Sequence, residues 1–96
     1  MPVILGSIVL QLQSGSGATN SWVIVNATDS LSRATIAGPI MITGPNGPVT
    51  GTTGTKITFP NCYEVTGTGS NKQKTVASCS GKVNAPGYSQ VTFTAP

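Results

Sequence analysis

The sequence predicts an all-β fold, a small two-sheet antiparallel sandwich of seven or eight short strands, and three observations carry that expectation. Apolar residues alternate with polar ones over short runs, as in Ile57 and Phe59 against Lys56 and Thr58, and no stretch keeps the 3.6-residue period of an amphipathic helix. The apolar positions are rich in Val and Ile, and Thr and Ser fill about a quarter of the chain, a mixture that suits pleated, half-buried strands. The 12 Gly and 7 Pro fall mostly between the apolar runs, where they punctuate them.

The chain of 96 residues is long enough for one domain, residues 1–96, with a modest core. Its first strand is expected over Val3 to Gln13. That run is apolar on both parities, with Ile4, Ile8, Leu10 and Leu12 on one and Val3, Leu5 and Val9 on the other, so it asks for burial on both faces. Two placements meet the demand: a central strand covered by loops, or a strand packed against a neighbouring subunit.

Ser14 to Asn20 reads as a Gly/Ser loop, and Ser21 to Thr28 as strand two, with Trp22 and Ile24 on one face and Val23 and Val25 on the other, turned by Asp29-Ser30. Leu31 to Ala37 is a weaker strand stopped by Gly38-Pro39. Ile40 to Thr43 is a short one stopped by Gly44-Pro45-Asn46-Gly47-Pro48, the strongest turn signal in the chain. Val49 to Thr55 reads as an edge strand or loop, and Lys56 to Pro60 as a cleanly alternating strand. Cys62 to Thr68 and Lys72 to Ser80 form a hairpin closed around Ser70-Asn71, and Gly81 to Ala85 and Tyr88 to Ala95 complete the set.

Composition excludes most chemistry. The chain has no His, only Asp29 and Glu64 as carboxylates, and 7% charged residues against about 25% in an average domain. A general acid–base pair, a nucleophile with a neighbouring base and a transition-metal site all need groups that are missing, so neither catalytic, cofactor-binding nor metal-ligating residues are assigned and no enzyme is expected. The net charge of +3 comes from Arg33, Lys56, Lys72, Lys74 and Lys82, scattered except for one pair. A nucleic-acid surface calls for a denser basic stripe, so nucleic acid is not the expected partner. No run reaches the ~20 apolar residues of a membrane span, and the start lacks the basic flank of a signal peptide.

Cys62 and Cys79 are the sharpest local signal. If the two-residue turn at Ser70-Asn71 sets the hairpin register, Val65 faces Val76 and Cys62 faces Cys79, which places a disulfide across the hairpin. Two free thiols are the alternative. A zinc site would need further ligands. Glu64 falls on the face of Cys62 and Thr66, while Asp29 sits in a turn its own side chain can satisfy. Trp22 is expected to anchor the core, with an exposed sugar-stacking platform, on Trp22 or on Tyr88, as the other reading. The Thr-rich stretch from Thr50 to Thr55 lacks a strict period and reads as solvated strand face.

Ile42-Thr43-Gly44-Pro45-Asn46-Gly47, Gly54-Thr55-Lys56-Ile57-Thr58-Phe59-Pro60 and Tyr63-Glu64-Val65-Thr66 together resemble the middle of a Cna-B-like or carboxypeptidase-regulatory-like domain, over about residues 42–66. The resemblance implies an immunoglobulin-like or transthyretin-like sandwich of the kind used in stalks, linkers and adhesion modules. Members that form internal isopeptide cross-links use a Lys in an early strand and an Asn in the last. This chain has neither, so that chemistry is not carried over.

The expectation for function is a non-enzymatic structural protein of an ordered assembly, a virion component such as a capsid decoration or minor capsid protein. Its partners would be other copies of itself or a larger capsid or fibre scaffold, met through Val3, Ile4, Leu5, Ile8, Val9, Leu10 and Leu12. The alternatives are an extracellular or cell-surface adhesion, stalk or pilus module using strand complementation, and a carbohydrate-binding module.

Overall fold

Each alternating run of the sequence becomes a strand with one face turned inward. The computed structural model describes residues 5–95. Ten strands follow in order: β1 (Ile8–Ser16), β2 (Asn20–Asp29), β3 (Thr35–Ile36), β4 (Pro39–Gly44), β5 (Gly47–Thr52), β6 (Lys56–Pro60), β7 (Cys62–Thr66), β8 (Gln73–Ala77), β9 (Cys79–Val83) and β10 (Val91–Ala95), with one 3₁₀ turn at Gly69–Asn71. The first sheet runs β1-β2-β3, with β6 also paired to β2; the second runs β10-β9-β4-β5; β7 and β8 form a two-stranded sheet of their own. Every ladder between these strands is antiparallel.

The two larger sheets enclose the core. β2 sends Ser21, Val23, Val25 and Ala27 inward, β6 adds Ile57 and Phe59, and Ile40, Ile42, Cys79, Val83, Phe93 and Ala95 meet them from the second sheet. Gly81 lies directly opposite Phe93 in the β9–β10 ladder, and the aromatic ring covers it so closely that any Cβ there would collide with the ring. The β4–β5 hairpin turns at Pro45-Asn46, with Gly44 paired to Gly47 and Gly47 at φ +110°, a conformation that favours glycine. Thr53 ties the sheets' connections together: its hydroxyl donates to the Ile36 carbonyl at 2.9 Å and accepts from the Gly38 N–H at 3.2 Å.

Within the all-β sandwich, three details differ from the sequence reading. Ten strands replace seven or eight, because the weaker Leu31–Ala37 run still pairs as the two-residue β3 and the stretch read as edge strand or loop pairs as β5; the Lys72–Ser80 run also breaks at Ser78, where the chain leaves the hairpin and enters the second sheet, its last residues joining β9. Trp22 is not the core anchor. The inward parity of β2 belongs to the small and β-branched residues, and the indole lies half-buried on the outer face of the first sheet. The hairpin register is displaced by two residues, pairing Tyr63 with Val76 and Cys62 with Ala77. The loop that closes it holds six residues, 67–72, and not two, with the 3₁₀ turn inside it and Gly67 and Gly69 at positive φ. An even shift leaves every side chain on its expected face.

The β7–β8 hairpin makes the molecule long. Its extents are 58 × 27 × 19 Å and its radius of gyration is 15.8 Å, against about 13 Å for a compact chain of this length. We refer to this hairpin as the arm.

Candidate functional site

The two-faced first strand is an edge strand. Val3 and Ile4 lie outside the described residues, and Leu5 is largely exposed in the segment that precedes β1. Ile8 and Leu10 turn inward and pack against the core. Val9 points outward and is 49% exposed, whereas Leu12, on the same inward face as Leu10, is still 41% exposed. Apolar surface therefore emerges from both sides of one edge, and the placement of β1 as a central strand is excluded.

Backbone direction completes this surface. The Ser7 carbonyl accepts from Ser30 N–H at 3.0 Å, and Gly17 N–H donates to the Asn20 carbonyl at 2.7 Å, so the odd-numbered residues around β1 direct their backbone groups at β2. Gly6 faces the other way: its N–H donates to the Gly87 carbonyl and its own carbonyl accepts from Ser89 N–H, both at 3.0 Å. By the alternation of an antiparallel pair, Ile8, Leu10, Leu12, Ser14 and Ser16 turn their N–H and C=O groups to the open side. Among the described residues no strand pairs with them.

The remaining edges are short or blunted. β3 has two residues, β10 has five, β5 begins Gly47-Pro48, and β6 is bounded by Lys56 and Pro60. In the arm, Glu64 lies on β7 and Lys74 on β8. Charges, prolines and brevity are the usual protections of a sheet edge. β1 has nine residues and none of these protections. Its last third, Ser14-Gly15-Ser16, has the composition of a loop; it is strand because Gly15 leaves room for Trp22, whose ring nitrogen would lie 2.6 Å from a Cβ at that position. Lys56 Nζ sits 4.9 Å from the centre of the same ring.

The arm is fixed at its base by a disulfide between Cys62 and Cys79, with Cα atoms 5.4 Å apart. The bond does not join the two strands of the hairpin. It joins β7 to the first residue of β9, a buried position paired with Ala95, and so clamps the arm to the second sheet. Tyr63, Val65, Lys74 and Val76 share one face of the arm, with Lys74 Nζ 4.3 Å from the Tyr63 ring centre, while Glu64, Thr66, Thr75 and Gln73 share the other. Tyr63, Val65 and Val76 are all exposed. Period-two alternation is the sequence signal for this face.

Asp29 is satisfied locally. One carboxylate oxygen accepts from the N–H groups of Leu31 at 2.8 Å and Ser32 at 2.9 Å, and the other accepts from the Tyr88 hydroxyl at 2.8 Å. These bonds, first that from Ser32 and then that from Tyr88, hold the Asp29 pKa below the ordinary carboxylate value; the same carboxylate raises that of Tyr88. The Tyr88 ring lies over Gly6, joining the start of β1 to the 84–90 loop. Both aromatic candidates for sugar stacking are thus engaged within the chain.

Asn61 is a residue that sequence reasoning does not find. It is fully buried between β6 and β7, accepts a hydrogen bond from the Ser21 hydroxyl, donates from Nδ2 to the Gly17 carbonyl at 2.9 Å, and uses its own N–H for the Thr19 carbonyl at 3.0 Å. It fastens the β1–β2 turn to the core. A lone Asn between Pro60 and Cys62 gives no local sign of this role.

Two shallow depressions mark the outer surfaces. One, of about 510 Å³, includes Thr43, Ser80, Lys82, Thr92 and Thr94 on the second sheet; the other, of about 390 Å³, includes Gln11, Thr28, Asp29 and Arg33 on the first. The second also includes Ser30 beside Asp29, whose carboxylate oxygens accept from Leu31, Ser32 and Tyr88. No helix among the described residues is long and apolar enough to cross a membrane. No protein-family model, curated protein or solved structure gives a significant match to the chain.

Proposed function

We propose that this protein is a non-enzymatic structural component of an ordered assembly, most specifically a virion component of the capsid-decoration or minor-capsid kind, and that it joins its neighbours along the open edge of β1. The observation that carries this reading is the contrast between edges. Among the described residues every other strand edge is short, charged or bounded by proline, and the nine-residue edge of β1 is left unprotected with Val9 and Leu12 showing on its two faces. A sheet edge offers backbone hydrogen bonds to an added strand, with side-chain pockets on alternate positions.

Two further features support the setting. The Cys62–Cys79 bond suits an oxidising location, among which virion surfaces are included. A sequence without His and with two carboxylates leaves little for catalysis to use. The test is gradient sedimentation of the full chain produced together with the neighbouring genes of its source, followed by quantitative mass spectrometry of the particle fractions. The chain is expected to co-sediment with particles at fixed stoichiometry, and Leu12→Lys, which plants an inward-facing charge on the edge, is expected to leave it in the soluble fractions. A full chain that never enters any sedimenting species would overturn the reading.

A further inference from the structure

We infer that the open edge of β1 pairs with the β1 edge of a second copy, antiparallel and about a two-fold axis at Leu12, so that two four-stranded sheets become one continuous sheet of eight. This deepens the assembly reading and rests on it. A two-fold interface must be self-complementary, each residue i meeting a residue j that is met in return. The free edge meets that condition about its own midpoint. Its lower limit is set by Gly6, whose outward backbone groups are taken by Gly87 and Ser89, and its upper limit by Gly17, which closes the turn to β2. The stretch left between them, Ile8–Ser16, is centred on Leu12.

Leu12 has the properties such a centre requires. Its parity turns its N–H and C=O to the open side, so Leu12 of each copy can exchange both hydrogen bonds with Leu12 of the other. Leu10 then lies opposite Ser14 of the second copy, and Gln11 opposite Gln13. Faces are matched as well, because opposed residues in an antiparallel pair share a face. The 41% of Leu12 that remains exposed beside the core would be covered by its symmetry mate. The strand carries no charge, so self-pairing opposes no like charges, and the outer face matches amide to amide. What selects a second copy as the occupant is the coincidence of midpoint, backbone direction and residual exposure in one residue.

The experiment uses exposed positions so that the fold is left intact. Gln11→Lys/Gln13→Lys and Gln11→Glu/Gln13→Glu are made in the full chain, with circular dichroism to verify that each retains its β spectrum. Sedimentation equilibrium is expected to show a dimer for the unmodified protein and, for each double variant alone, dimerisation weakened more than about a hundredfold by like charges meeting across the axis. Mixing the two double variants should restore a heterodimer, since the lysines of one then meet the glutamates of the other, position 11 against position 13 in both directions. Mixing the single variants Gln11→Lys and Gln13→Glu fixes the centre: the two new charges meet if the axis passes through Leu12, and miss each other if it passes through Gln11. An unmodified chain that stays monomeric, double variants that still dimerise, or a mixture that fails to recover would each overturn the two-fold pairing. The broader reading is judged separately, because a scaffold strand occupying the same edge would still carry the unmodified chain into particles while the purified chain remained monomeric.

Discussion

Replacing Asn61 with alanine is expected to cost about 3 kcal/mol, and the figure can be assembled from its three bonds. The Ser21 hydroxyl, 1% exposed, loses its only acceptor and stays sealed from water, a penalty of about 1–3 kcal/mol. The Gly17 carbonyl also loses its partner, but it lies in an exposed turn and can be rehydrated, so its loss is small. The backbone bond from Asn61 N–H to Thr19 survives the substitution. Deleting the amide group leaves a void of a few atoms, adding about 1 kcal/mol at ~24 cal/mol per Å³. Against a total stability of about 5–15 kcal/mol this is a large fraction, and it should lower the melting temperature by about 10–20 °C.

Urea unfolding gives the direct measure, with a reduced midpoint at unchanged slope. The mechanism is separated from mere cavity formation by Ser21→Ala. If the orphaned hydroxyl is the main cost, Ser21→Ala/Asn61→Ala should be about 1 kcal/mol more stable than the sum of the single losses implies. A single loss below about 1 kcal/mol, or strict additivity in the cycle, would refute the argument that this side chain fastens the β1–β2 turn.

Removing the disulfide with Cys62→Ala/Cys79→Ala should cost about 3 kcal/mol for a closed loop of this size, the two residues having a sequence separation of 17. Amide exchange should accelerate first in β7 and β8, and uniform acceleration would show that the arm is not a separate unit. Tyr88→Phe should destabilise the protein in a pH-dependent way. Because the Asp29 pKa is lowered in the folded state, its contribution is present above the ordinary carboxylate range and is lost as pH falls through the lowered value. Because that of Tyr88 is raised, the bond holds below the ordinary phenol range and is lost as pH rises through the raised value. The stability gap between the two proteins, followed by thermal melts across pH, should therefore be widest near neutrality and close at both extremes.

Local alternation makes the strands legible, and non-local closure hides the rest. β6 is readable to the residue, because Ile57 and Phe59 alternate with Lys56 and Thr58 and Pro60 ends the run. The separation of β8 from β9 is not, since Ser78 carries no turn signal and the break is imposed by Cys79 entering the core beside Ala95. The cysteine pairing is legible while its geometry is not: six loop residues replace the two of a tight turn, which moves Cys62 away from the hairpin partner expected for it. Trp22 misleads because size suggests burial. In this sandwich the inner layer of β2 is filled by Val23, Val25 and Ala27, and the indole serves as an outer cover on Gly15.

That outer cover bears on the proposed pairing. Period two means that a one-residue slip of β1 against β2 would turn Leu10 and Leu12 out to solvent and would bring Ser14 or Ser16 to the position opposite Trp22. Either side chain would need the space that the ring now occupies above Gly15, where a Cβ would lie 2.6 Å from the indole nitrogen. The single glycine thus fixes the register from one end of the strand, while Gly6 under Tyr88 fixes it from the other. Between two such anchors the alternation of backbone direction is settled, and Leu12 is held at the centre of the open stretch with its peptide groups outward. Gly15 turns its own backbone groups to β2 and Gly6 gives its own to Gly87 and Ser89, so neither anchor uses a hydrogen-bonding group that a second chain would need.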